Sequence, residues 1–182
     1  MKTSTRPTLR SITAQSHIAS PLGTILLART ERGLAGAWFA GQKHHPPELD
    51  APERADDPLL GEASRQLGEY FAQERHGFDV PLDLQGTEFQ RAVWRALLAI
   101  APGATRSYGQ IARDLGVPAA SRAVGAAVGR NPVSVIVPCH RVVGSAGALT
   151  GYAGGLDRKA SLLRIEAERV AREGAGERLE LH

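Results

Sequence analysis

Two Ser/Thr-x-x-Gln sequences, Thr87-Glu88-Phe89-Gln90 and Ser107-Tyr108-Gly109-Gln110, constrain this chain more than any other feature. In each, the hydroxyl can accept from the backbone N–H three residues on. The glutamine can return a bond to the first residue's own N–H, so each marks a helix start. Pro102-Gly103 ends the first helix, whose apolar residues Phe89, Ala92, Val93, Ala96, Leu97 and Ile100 are spaced for one buried face. Gly116 stops the second, and Pro118 suits the first turn of a third that runs to about Gly129. Two short helices joined by a tight, glycine-containing turn are a helix-turn-helix candidate, although many helical domains contain such a corner.

The first part of the chain reads differently. Over 11–39, turn-like breaks at Ser20-Pro21-Leu22-Gly23 and Thr30-Glu31-Arg32-Gly33 separate three strand-like runs, around 12–17, 24–29 and 34–39. Residues 41–57 are a loop rich in Pro, Asp and Glu. Leu60, Ala63, Leu67, Tyr70 and Phe71 then follow a helical period from Pro58 to about Glu74. Residues 78–87 read as an extended linker. Three parts are expected: an α/β domain over 1–80, a second domain over 81–170, and a frayed, charged tail over 171–182.

The helix ending near Gly129 has two unlike sides. At about 100° per residue, Arg122, Gly125, Ala126 and Gly129 share one side, and Ala120, Val124, Ala127 and Val128 the other. Glycine costs a helix about 1 kcal/mol relative to alanine, so a side with no bulk except one arginine implies close approach by something. That something is another helix, or a nucleic-acid groove with Arg122 protruding into it. Beyond Asn131-Pro132, residues 133–137 read as a buried strand or extended segment. The last helix, from near Leu156, would turn Ala160, Leu163, Ala167 and Val170 to the core.

Composition narrows the function. With 42% apolar and 23% charged residues, the chain resembles an ordinary soluble domain. It has no apolar run near the roughly 18 residues that span a bilayer, and no signal-type stretch after its basic first ten residues. A cytoplasmic protein without a membrane partner is expected. The net charge of +3 is compatible with a polyanionic partner. A single cysteine excludes an internal disulfide, a resolving thiol and a zinc site built on two thiolates. His44-His45, followed by Pro46-Pro47, reads as a polar loop. Neither a metal nor a cofactor is expected.

That cysteine is set apart from an ordinary core thiol. Cys139 follows a proline at the end of an apolar segment and is flanked by His140 and Arg141, whose charge or imidazole would favour the thiolate. Adjacency in sequence alone leaves contact open. Glu166, beside Leu162 and Leu163, is either a solvated glutamate or a carboxylate that orients a histidine. Tyr108 is either a core aromatic or a phenol placed to donate a proton.

Pro138-Cys139-His140-Arg141-Val142-Val143, preceded by Asn131-Pro132-Val133, resembles the active-site motif of the O6-alkylguanine-DNA alkyltransferases. Four further segments agree in order and spacing: Ser107 to Ala112, Arg122 to Gly125, Thr150 to Leu156, and Leu162 to Glu166. The match is strong over 85–168 and diffuse over the first 80 residues. The resemblance implies an α+β chain, with an N-terminal RNase H-like sheet-plus-helix domain and a mainly helical winged helix-turn-helix domain. It implies direct-reversal DNA repair: one transfer per chain from O6-alkylguanine to Cys139, with O4-alkylthymine as a second candidate substrate. His140 would remove the thiol proton through a water, and Glu166 would orient the histidine. Asn131 would hold the turn, and Tyr108 would bind the flipped base and protonate it as it leaves. Arg122 would fill the gap in the stack from the minor groove, with Ala123, Gly125, Ala126, Arg130 and Ser107 also at the DNA. Tyr152, Ala153 and Gly154 would form the pocket lip, with Val142 and Val128 in the pocket and Ser134 near it. Other copies along the DNA are a further expected partner. The family's structural zinc, where relatives carry it, uses cysteines that this chain lacks.

Three other readings compete. A lesion-binding relative that performs no chemistry would lack Cys139. A winged-helix regulator would leave Cys139-His140 and Glu166 unexplained. A Cys-His hydrolase would turn over repeatedly.

Overall fold

Apolar residues on both faces of a strand require cover on both sides, and this requirement shapes the N-terminal half. The computed structural model describes residues 11–180, with side chains through residue 176; the basic stretch 1–10 and the last two residues lie outside it. Strands β1 (Ala14–Ile18), β2 (Ile25–Arg29) and β3 (Leu34–Phe39) form an antiparallel sheet in that order, with Leu27 opposite Ala37 and Ile25 opposite both Ile18 and Phe39. Ile25, Leu27, Ala37 and Phe39 point toward helix α1 (Pro58–Phe71), which returns Leu60, Ala63, Leu67 and Tyr70. Asp57 caps α1 by accepting from the amides of Leu59 and Leu60. The opposite face of the sheet, Leu26, Ala28 and Trp38, is covered by Ile12 and Leu49. The loop 41–57 thus does structural work, and Gln15 ties it down through Ala51 O at 2.7 Å and the amide of Arg54 at 2.8 Å.

Residues 78–87 are not a free linker. Leu34 N donates to Pro81 O and Asp83 N to Leu34 O, both at 2.8 Å, so this stretch runs beside β3 as a short parallel addition to the sheet. The expected division between residues 80 and 81 falls inside it. The unpaired edge of β3 supplies the physical reason, since an extended neighbour satisfies its backbone groups.

Both capping boxes form. They start α2 (Glu88–Leu98) and α3 (Tyr108–Asp114), and Gly116 closes α3 with φ 74°, a left-handed value natural to glycine. A 3-10 turn (Pro118–Ala120) leads into α4 (Ser121–Gly129), which packs on α2 and α3. On α2, Trp94 takes the central core position beside Val93 and Leu97, and its indole N–H donates to Ala127 O of α4 at 2.8 Å. Two-residue strands β4 (Arg106–Ser107) and β5 (Val142–Val143) pair in parallel. Helix α5 (Leu156–Glu180) continues through the region expected to fray.

The buried side of α5 differs from the expected one. Lys159, Leu162, Glu166 and Arg169 face inward, while Ala160, Ala167 and Val170 are exposed and Leu163 is half-buried. The helix is turned by one residue, about 100°. Glu166 and Lys159 find partners in the interior, and Arg169 Nε donates to Glu173 on the same helix, which pattern reading by hydrophobicity cannot anticipate. A single hydrophobic core links both halves and includes Cys139. Among the described residues, no helix is long and apolar enough to cross a membrane.

Candidate active site

Asn131 organises the chain after α4. Its Oδ1 accepts from Val133 N at 3.0 Å and its Nδ2 donates to Val137 O at 2.8 Å. Val137 N also bonds Val133 O at 2.9 Å, closing a turn in which Val135 has φ 71°. That is a strained value for a β-branched residue. Strand β3 braces the turn from outside: Ala37 N donates to Pro132 O and Ser134 N to Ala37 O, both at 2.9 Å. The expected strand at 133–137 is therefore a buried turn. Its valines favour β structure, but the Asn131 amide offers closer partners.

Cys139 opens the 3-10 turn Cys139–Arg141 and is 4% exposed. Burial pushes its thiol up to about 11, against the opposing pull of the Asn131 amide, the Lys159 ammonium and the backbone N–H groups of Cys139 and His140. The resting sulfur is a thiol. Desolvation outweighs the pull of the Lys159 charge, so the setting does not by itself favour the thiolate.

His140 and Arg141 converge on Glu166, all three buried. His140 Nε2 lies 2.7 Å from Glu166 Oε1. Arg141 grips the carboxylate with both prongs, Nε to Oε2 at 2.9 Å and Nη2 to Oε1 at 2.8 Å. Tyr70 donates its hydroxyl to Oε1 at 2.8 Å. Burial alone would raise the Glu166 carboxyl, but the bonds from His140 and Arg141 hold it well below the usual range. An ionised carboxylate only accepts, so His140 Nε2 carries the hydrogen and Nδ1 is the free base nitrogen. Nδ1 is buried and has no hydrogen-bond partner among the described residues. Burial keeps the imidazole below its ordinary pKa despite the adjacent carboxylate.

Lys159 is fully buried as well. Its ammonium donates to Val142 O and, at 2.8 Å, to Thr150 O, with no carboxylate paired to it among the described residues. Burial lowers its pKa, and the charge it would share with a Cys139 thiolate opposes that shift. Above it runs the loop 150–154. Tyr108 donates to Thr150 O at 3.2 Å or Gly151 O at 3.3 Å. The Tyr152 hydroxyl is buried without a hydrogen-bond partner among the described residues. A Cβ on Gly154 would lie 2.6 Å from the Tyr152 ring, so only glycine fits there. The loop is tied to the N-terminal sheet: Lys43 N donates to Ala153 O at 2.9 Å, and Arg158 bridges Gly154 O at 3.1 Å and Leu22 O at 2.9 Å.

On α4, Val124, Ala127 and Val128 face the core, and Arg122, Ala123 and Ala126 are exposed, as is Arg130 just past the helix end. Neither arginine forms an ion pair among the described residues. Gly125 sits over Tyr108, where a Cβ would lie 3.6 Å from the ring, whereas a Cβ on Gly129 would meet nothing within 4 Å.

Residues 14–84 match the family model described as "6-O-methylguanine DNA methyltransferase, ribonuclease-like domain", and residues 88–168 the one described as "6-O-methylguanine DNA methyltransferase, DNA binding domain". The chain belongs to this methyltransferase family. Two relatives named methylated-DNA--protein-cysteine methyltransferase are close over most of their length. The Methanosarcina acetivorans protein is 52% identical over 81% of this chain and 94% of its own, and that of Mycolicibacterium paratuberculosis 49% over 82% and 89%. A crystal structure of Mycobacterium tuberculosis OGT in complex with DNA superposes with a TM-score of 0.79 at 46% identity, covering 86% of this chain and 94% of that one.

Within the methyltransferase fold, the residues singled out by sequence fall into three groups. Asn131, Cys139, His140 and Glu166 share one buried cluster. Tyr108, Tyr152, Ala153 and Gly154 meet at the loop above it. Arg122, Ala123, Ala126 and Arg130 share an open face. Four more stand apart from these groups. Ser107 is engaged as the α3 cap, accepting from Gln110 N at 3.1 Å. Val128 and Val142 are core positions at 3% and 0% exposure. Ser134 donates to Gln42 Oε1 at 3.3 Å. Sequence reading missed Tyr70, Arg141 and Lys159 as site residues. Only Arg141 carried a signal, its place beside His140.

Proposed function

We propose that this chain reverses alkylation of DNA directly, taking the alkyl group of an O6-alkylguanine onto Cys139 Sγ once per molecule. The observation that carries the reading is the Glu166–His140 contact of 2.7 Å, which leaves a buried, unprotonated Nδ1 on the residue that follows the only cysteine in sequence. Forming the thiolate alone would cost about 5 kcal/mol at pH 7, given a thiol near 11. The proton must therefore leave to His140 through an intervening water as the sulfur attacks, with Glu166 holding the resulting imidazolium. Lys159 favours the developing negative sulfur.

The S–C bond forms as the O6–C bond breaks, and the electron pair passes to guanine. Tyr108 gives up its bond to the loop carbonyls and supplies a proton to the leaving base, and the proton held by His140 returns through solvent to the Tyr108 phenolate. The product is a thioether, and the chain has no second thiol to reverse it. The lesion lies inside the duplex, so the base must first be extruded at a cost of a few kcal/mol. The open, small-residue face of α4 suits a minor groove, and Arg122 suits the vacated place in the stack. Arg130 would contact phosphate.

The test mixes protein with duplex containing O6-methylguanine and follows loss of the lesion. Repair stops at one equivalent per chain, and Cys139→Ala binds the duplex without repairing it. Continued repair beyond one equivalent, or repair by Cys139→Ala, would refute the transfer. Arg122→Ala slows repair of duplex roughly tenfold while reaction with the free base is unchanged. Equal duplex repair would remove the wedge role.

A further inference from the structure

The proposed relay has a member from the other half of the chain. Tyr70, on the last turn of α1, is 2% exposed and bonds the same Glu166 oxygen that accepts His140 Nε2. Packing does not call for its hydroxyl. The ring already lies edge-on to Phe71 at 5.4 Å and against Phe78 at 5.5 Å, contacts that a phenylalanine would also make. We infer that Tyr70 is a positioning residue for the His140–Glu166 relay, which makes the N-terminal domain part of the reaction centre. The inference rests on the roles given to His140 and Glu166 above.

Three donors share Glu166 Oε1: His140, Arg141 and Tyr70. Each added donor offsets part of the oxygen's charge, so the Tyr70 bond weakens the hold of Glu166 on an imidazolium. Without the hydroxyl, two donors remain and no polar atom is orphaned. The remaining charged groups around His140 are Arg141 and Lys159, which oppose its protonation; Arg169 and the buried Tyr152 lie near Tyr70. Tyr70→Phe leaves all of these in place. His140 then becomes easier to protonate.

The test uses the full chain with Tyr70→Phe, and with a ring-fluorinated tyrosine at position 70, which is a stronger donor. In a Cys139→Ala background no thiol titrates alongside, and nitrogen NMR, with the His140 resonances assigned among the six histidines, follows its titration. Tyr70→Phe raises the titration by roughly half to one pH unit, and the fluorinated residue lowers it. In the Cys139 protein, the acid limb of the single-turnover repair rate moves the same way. An unmoved titration with repair slowed equally at every pH would mean that Tyr70 only packs, and would overturn the inference. Glu166→Gln separates the two levels. If it leaves the His140 titration in place, the relay fails and Tyr70 falls with it; if it moves the titration while both Tyr70 variants do not, only the Tyr70 role fails.

Discussion

Helix α4 turns Arg122, Ala123 and Ala126 to solvent and keeps Val124, Ala127 and Val128 inside, whereas α5 exposes Ala160, Ala167 and Val170 and buries Lys159, Glu166 and Arg169. The first helix satisfies the hydrophobic rule and uses its outer side for shape. The second inverts the rule, which is tolerable only where each buried charge has partners. Glu166 has four donor groups: His140, Arg141, Tyr70 and, at 3.5 Å, Gly103 N. Lys159 has two carbonyls. On the proposed function, approach to DNA falls to α4 and the buried relay draws on α5, so a substitution on one should leave the other's property intact.

The largest effect is expected on α5. Glu166→Gln strands the Arg141 charge in the interior, and should lower stability by about 3–5 kcal/mol and single-turnover repair roughly 100-fold. Urea unfolding and stopped repair assays read the two losses. A variant as stable and as fast as the parent would break the contrast. On α4, Ala126→Glu places a negative charge on the open face. It should weaken duplex binding roughly tenfold or more while stability stays within about 0.5 kcal/mol. Loss of stability instead would show that this face is packed.

Stability against pH sharpens the account of the buried side. His140 and Glu166 both have folded pKa values below their ordinary 6.5 and 4.5, so the unfolded chain binds more protons and stability falls as pH drops below 6.5. Cys139 moves the other way, from 9.0 to about 11, so its contribution is complete below pH 9 and lost as pH rises toward 11. The thermal midpoint should fall below about pH 6.5 and, as Cys139 loses its contribution, above about pH 9, an alkaline fall that Lys159 opposes because its own pKa is lowered from 10.5. Between pH 9 and 10, before the tyrosines titrate, Cys139→Ala should flatten the alkaline fall. The smallest effect is at Gly125→Ala, where the new methyl meets the Tyr108 ring at an ordinary 3.6 Å. Stability should change by less than about 1 kcal/mol, read by thermal melting.

The same contrast explains what was legible in the sequence. Capping boxes, glycine stops and strand breaks are local chemistry, and α2, α3, α4 and the three strands follow from them. The α4 inner face follows too, because Val124, Ala127 and Val128 obey periodicity. The α5 inner face was misread by one residue because Lys159, Glu166 and Arg169 are masked as surface residues by their charge. The turn at 133–137 was read as extended because a valine run says nothing of Asn131's amide. Cys139, His140 and Glu166 stood out through their motif, but Tyr70 lies 96 residues from Glu166 and gave no local sign.

The central claim is that the alkyl group moves to sulfur while the base stays in the DNA. Peptide mass mapping of protein reacted with O6-methylguanine duplex, together with nucleoside analysis of that duplex, measures both ends of the transfer. The account predicts one methyl group as a thioether on Cys139 and an intact, unmodified guanine at the former lesion. A methyl on any other residue, or an abasic site in the duplex, would contradict it.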